Sequence, residues 1–165
     1  MNKKFGRFVL ALLASFTVEA ATPPTPYAPL AFLVGHCWKG TLQNGNQSDR
    51  HCFSWVYDRK FIRDVHVVSG DGAADRTGES IYVWNTTRKL LEYLYIESDG
   101  GSSRGTVLAE GNTLVFPAAS YLEDGKKMVY RSRWIRTGDD TYDVVTEFQA
   151  QNGWSPGFSF HMKKI

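Results

Sequence analysis

From residue 36 to the C-terminus, polar and apolar side chains alternate in ten short runs: 36–43, 48–57, 60–69, 78–85, 90–97, 103–109, 113–117, 127–136, 141–150 and 157–164. Turn-forming clusters separate them, among them Asn44-Gly45, Asp58-Arg59, Gly70-Asp71-Gly72, Ser98-Asp99-Gly100-Gly101, Glu123-Asp124-Gly125 and Asn152-Gly153. Alternation with a period of two marks half-buried strands, and short strands at regular spacing predict an all-β barrel or sandwich. Links this short favour an antiparallel up-and-down meander, and closure of about 8–10 strands would remove the unpaired edges. A single helical turn is predicted at Leu30 to Val34, ahead of the first strand. Residues 22–29 carry four prolines (Pro23, Pro24, Pro26 and Pro29) and read as an extended linker.

The first hairpin can be read in register. Asn-Gly suits the positive φ angles of a type I′ turn. With Asn44 and Gly45 at the centre, facing residues have numbers that add up to 89, and Cys37 and Cys52 do so. A disulfide between them is therefore expected, at a hydrogen-bonded pair with Cα atoms about 5.5 Å apart. Trp38 then faces His51 on the opposite side of the sheet from the bridge.

The N-terminus changes the charge picture. Lys3, Lys4 and Arg7 precede an apolar stretch from Phe8 to Phe16, too short for the ~20 residues of a membrane-spanning helix. With Val18-Glu19-Ala20 it reads as a signal peptide, residues 1–20, cleaved after Ala20. Residues 21–29 form the linker and 30–165 one barrel domain. The whole chain has 19 basic and 17 acidic residues; removing the three basic and one acidic residues of the signal leaves sixteen of each. A neutral mature chain gives no electrostatic reason to expect nucleic acid as partner, and no membrane span is predicted. The leader and the cysteine pair together predict a periplasmic or secreted protein of bacterial type.

Alternation also assigns faces. His51, Phe53, Trp55 and Tyr57 share one side of the second strand. Tyr82 with Trp84, Tyr93 with Tyr95, Tyr130 with Trp134, Tyr142 with Val144 and Phe148, and Phe158 with Phe160 and Met162 continue that side. The inner face is thus rich in Tyr and Trp, whose O–H and N–H groups need partners when buried. Such an interior suits either a lined cavity or a filled core. On the outer side, Arg131 and Arg133 are placed to meet Asp143 and Glu147 of the next strand.

The segment Leu30-Ala31-Phe32-Leu33-Val34-Gly35, with Gly35-His36-Cys37-Trp38-Lys39-Gly40 and the meander behind it, resembles the calycin superfamily, the lipocalin and nitrobindin-like barrels, in the style of secreted bacterial members. The spacing from Gly35 to Trp38 is one residue longer than usual there. The resemblance implies that Gly35 and Trp38 sit at the closed end of the barrel. It implies a non-enzymatic binder of a small hydrophobic or aromatic molecule, with His51, Phe53, Trp55, Tyr82, Trp84, Tyr93, Tyr130, Trp134 and Phe160 as candidate lining residues. No cofactor is expected. Haem is the alternative, because nitrobindin-like proteins hold it through a histidine near the C-terminus, the place of His161 here. Parity puts His161 outside unless a bulge near Gly157 reverses it. A filled barrel acting through its surface in the envelope is the other alternative.

Remaining motifs carry little chemistry. Gly153-Trp154-Ser155-Pro156-Gly157 matches the string of a hydrolase nucleophile elbow, but a strand follows it and no acid comes after the serine, so it reads as a turn. No catalytic residues are assigned. No two histidines have close ligand spacing and the cysteines are taken by the bridge, so no metal site is expected. His66 shares a face with Asp64 and Val68, which alone points to nothing.

Overall fold

The computed structural model describes residues 25–42, 45–70, 72 and 74–165. The signal peptide, its cleavage site and Asn44 of the first turn lie outside the described residues. Ten strands follow a short 3-10 helix at Thr25–Leu30: β1 (Cys37–Thr41), β2 (Gln47–Val56), β3 (Phe61–Gly70), β4 (Arg76–Asn85), β5 (Leu90–Glu97), β6 (Ser102–Glu110), β7 (Thr113–Glu123), β8 (Lys126–Arg136), β9 (Thr141–Ala150) and β10 (Gly153–Lys164). Each pairs antiparallel with its sequence neighbours, and β10 returns to β1 to close the barrel. Every run of alternating residues is a strand. The closed antiparallel barrel is consistent with a calycin-like architecture.

The N-terminal segment differs from the sequence reading. The helical turn is not confined to Leu30–Val34, and the proline-rich stretch is not extended throughout. Thr25–Leu30 is itself helical, because Tyr27 and Leu30 gain burial by folding back under the barrel. The Tyr27 hydroxyl donates to Lys60 O (2.6 Å) and accepts from Trp84 N–H (2.9 Å), fastening this plug to β4 and the β2–β3 turn.

In the first hairpin the predicted register holds: Cys37 faces Cys52 and Trp38 faces His51. The hydrogen-bonding phase is shifted. Leu42 N–H donates to Gln47 O (2.8 Å), so the loop between them is four residues long. Counting from that pair places the cysteines at a non-hydrogen-bonded site, where backbones approach more closely. Their Cα atoms are 4.1 Å apart, and the disulfide forms. The bridge closes a loop with a sequence separation of 15. Reducing it should lower stability by about 3 kcal/mol, from the lost constraint on the unfolded chain. Urea unfolding with and without reductant reads this directly; an unmoved midpoint would show that the hairpin contacts alone hold β1.

Trp38 is fully buried between the plug and the inner wall. Its indole N–H donates to Leu33 O (3.2 Å), and its ring meets Phe32 and Tyr142 edge-on at 6.0 and 5.1 Å. Gly35 turns the chain from plug to β1 with φ +83°, a conformation that side chains disfavour, and its N–H donates to Phe53 O (2.9 Å). Both residues thus occupy the plugged end.

Two bulges accommodate the prolines in the late strands. The register shifts between Phe116 and Ala119 around Pro117, and between Pro156 and Ser159 around Gly157. The sequence 153–157 is therefore not a turn but the opening of β10, since the second bulge lets a strand continue past Pro156. On the outer wall Arg131 pairs with Glu147 at 2.7 Å and lies 4.4 Å over the Trp154 ring.

Candidate functional site

Strands β2 and β3 pair so that His51 faces His66 and Phe53 faces Asp64. Alternation directs Asp49, His51, Phe53, Asp64 and His66 to the interior. Tyr57, expected on the same face, is instead 77% exposed, because the chain turns there with φ +50°. Directly opposed strand residues place two imidazoles and two carboxylates on one inner wall, with Asp49 7% and Asp64 2% exposed.

They form one connected cluster. His51 Nδ1 lies 2.8 Å from Asp64 Oδ2, and His51 Nε2 lies 3.0 Å from Asp49 Oδ2. The other Asp49 oxygen meets His66 Nδ1 at 3.2 Å, and His66 Nε2 meets the Tyr95 hydroxyl at 2.9 Å. The imidazoles lie 4.8 Å apart, and Phe53 stacks on His51. His66 reaches Tyr95 across β4 because position 78 is glycine: a Cβ there would stand 2.1 Å from His66 Nε2 and 2.8 Å from the Tyr95 ring. Toward the far rim, Tyr121 O–H donates to Glu97 (2.5 Å), whose other oxygen pairs with Arg76 (2.8 Å).

Burial alone would push the His51 imidazole down, but Asp64 and Asp49 outweigh it and raise its pKa to about 10. His51 is thus a buried cation donating from both nitrogens. Burial would likewise raise Asp49, yet His51 and His66 hold it well below the usual carboxylate range. Among the described residues, two buried side-chain polar atoms find no partner: Asp64 Oδ1 and the Tyr142 hydroxyl. Burial pushes the Tyr142 phenol well above its ordinary value, with Asp64 and Asp49 adding to the rise, so that hydroxyl shares the field of both carboxylates.

Aromatic rings make up much of the opposing wall. Trp134 contacts Phe116 (4.7 Å), Tyr142 (5.7 Å), His51 (5.9 Å) and Phe53 (6.1 Å). Tyr93 bonds Tyr130 (2.9 Å), which donates to the buried Ser103 (3.0 Å). Of the nine predicted lining residues, His51, Phe53, Tyr82, Tyr93, Tyr130 and Trp134 surround this central region. Trp55 and Trp84 belong to the plugged end, around Tyr27. Phe160 packs against Phe158 near the β10 bulge. A groove of about 390 Å³ lies elsewhere, at the β7 bulge between Pro117, Arg131 and Trp154, and none of the nine borders it.

His161 is on the outer face, half exposed and paired with Asp143 at 2.6 Å. The bulge at Gly157 exists but falls before Phe158, so Phe160 and Met162 stay inside and His161 outside.

Asp49, Asp64, His66, Tyr95 and Tyr142 were not among the predicted site residues. A signal for two of them was present. Centring the β2–β3 turn on Asp58-Arg59 makes facing numbers add up to 117, which sets His51 opposite His66 and Phe53 opposite Asp64.

Fold and site together define a closed, ten-stranded antiparallel barrel with a buried acid–imidazole cluster on one wall and aromatic rings on the other. No family model matches the chain, and no curated protein matches it. No helix among the described residues is long and apolar enough to cross a membrane.

Proposed function

We propose that the barrel binds a small, partly aromatic molecule in its interior without chemically transforming it, in the periplasm or outside the cell. The observation that carries this is the pair of orphaned buried groups, Asp64 Oδ1 and Tyr142 O–H, among stacked rings. A buried polar group without a partner costs about 1–3 kcal/mol, and a ligand offering a donor to Asp64 and an acceptor to Tyr142 would recover it. Flat, apolar faces on the ligand would suit Phe53, Trp134 and Tyr93. His161, facing solvent and paired with Asp143 on the outer wall, offers no iron ligand to the interior.

The test is native mass spectrometry of protein purified from its own host, together with titration of a fluorescent aromatic probe. A co-purified small molecule, or 1:1 probe uptake that quenches tryptophan emission and is lost in Trp134→Ala, is expected. A bare mass together with no probe uptake would sink the reading.

A further inference from the structure

The cluster also has the form of a metal site, independently of whether the barrel takes up an organic ligand. Asp49, His51 and His66 each offer one ligand atom, and the three atoms lie within 4.8 Å of one another. The Asp49 carboxylate stands 3.0 Å from His51 Nε2 and 3.2 Å from His66 Nδ1. Ligand atoms around a tetrahedral ion with bonds of about 2.0–2.1 Å stand roughly 3.3 Å apart; each imidazole already meets one Asp49 oxygen near that spacing, and the 4.8 Å bound on the three atoms leaves at most about 1.5 Å of closure.

The outer partners are also in place. Histidines that bind metals almost always hold their second nitrogen against a carboxylate or another acceptor, which fixes ring orientation and tautomer. His51 does so through Nδ1 to Asp64 (2.8 Å), and His66 through Nε2 to Tyr95 (2.9 Å). A further observation points to an occupant: Asp64 is 2% exposed, and its Oδ1 has no partner. The Tyr142 hydroxyl, orphaned in the same interior, would suit a water or other group on an open coordination position. Close spacing along the chain is the usual sequence signal for such a set and is missing here, because the pairing of β2 with β3 brings His51 and His66 together instead.

We propose that Asp49, His51 Nε2 and His66 Nδ1 bind one divalent transition cation of the zinc type, with Asp64 and Tyr95 orienting the two imidazoles. Two nitrogens and one carboxylate oxygen suit zinc and its first-row neighbours, and three protein ligands leave a position open. Binding releases to solvent the proton that His51 Nε2 shares with Asp49, and it holds His66 as the neutral tautomer with Nδ1 bare toward the ion and Nε2–H donating to the Tyr95 oxygen.

The test uses the chelator-stripped protein, titrated with Zn²⁺ by calorimetry and with Co²⁺ by visible absorption. One ion per chain is expected, with Co²⁺ giving the intense d–d bands of a low-coordinate site. Tyr95→Phe should weaken binding by roughly 10-fold, the range for an outer partner. His66→Gln should weaken it further, and His161→Ala should leave it unchanged. Because a cluster variant can lose its fold, imidazole NMR of the unaltered protein gives a second readout. Zn²⁺ should shift His51 and His66 and spare His36 and His161. No binding by the unaltered protein, or shifts confined to His36 or His161, would overturn the assignment.

Discussion

His51→Leu should destabilise the metal-free barrel by about 3–5 kcal/mol at neutral pH, the cost of removing one partner from a buried ionic network. Among the described residues, His51 is the only imidazole that contacts both carboxylates, at 2.8 and 3.0 Å. Leucine would leave Asp64 without that bond, with Oδ1 already unpartnered, and would leave Asp49 only His66. For a domain whose whole stability is about 5–15 kcal/mol, such a loss takes the protein close to its threshold. Coupling identifies the cause. In His51→Leu/Asp64→Leu the stranded charge is gone, so much of the loss should return. Urea unfolding in the presence of chelator measures both. A single variant that loses under about 1 kcal/mol would mean that water reaches the cluster and screens it.

The same network sets the pH window. His51 has a folded pKa raised to about 10 from an ordinary 6.5. Its contribution is complete below about 6.5 and is lost as the pH rises through 10. Asp49 is depressed from 3.8, so its contribution is present above that value and is lost as the pH falls toward its lower folded value. Stability of the unaltered barrel should therefore form a plateau between about pH 4 and 6.5 and fall on both sides. His51→Leu should lack the alkaline fall attributable to this imidazole.

Strand positions, faces and closure were legible because each rests on a local rule. Alternation identified ten strands, and the turn between Leu42 and Gln47 fixed the register that joins Cys37 to Cys52. The phase of the hydrogen bonds was not legible, because two- and four-residue loops about the same centre give the same facing pairs. The plug was half legible. Prolines at 26 and 29 look extended by composition, and only the burial of Tyr27 and Leu30 under the barrel makes them helical. In the site, His51 was found by parity within one hairpin. Its partners needed the next hairpin for Asp64 and His66, and a third for Tyr95, which is reached across Gly78. Tyr142 comes from β9, which closure brings near β1 only by way of β10, and no local rule brings it there.

Trp38→Ala should cost about 3–5 kcal/mol, the range for deleting a buried aromatic side chain. The indole is fully buried and touches three parts of the fold: Phe32 and Leu33 of the plug, Tyr142 of β9, and the Lys164 ammonium of β10, 5.7 Å from the ring. Removing it opens a cavity where β1 joins β10, at the seam whose ladder pairs Trp38 with Lys164 and Lys39 with Lys163. It also leaves the Leu33 carbonyl without its indole donor. Trp38→Phe separates these effects. It keeps an aromatic body against Tyr142 but loses the N–H, so it should cost little more than the roughly 1 kcal/mol of one hydrogen bond plus its packing difference. If the seam and the plug share this residue as their common support, the alanine variant should lose amide protection at Leu33, Gly35 and Lys164 before the β5–β8 strands open. Hydrogen exchange distinguishes this from uniform loosening. Equal loss of protection in β6 and at the seam would mean that Trp38 contributes bulk to the core but does not hold the barrel shut.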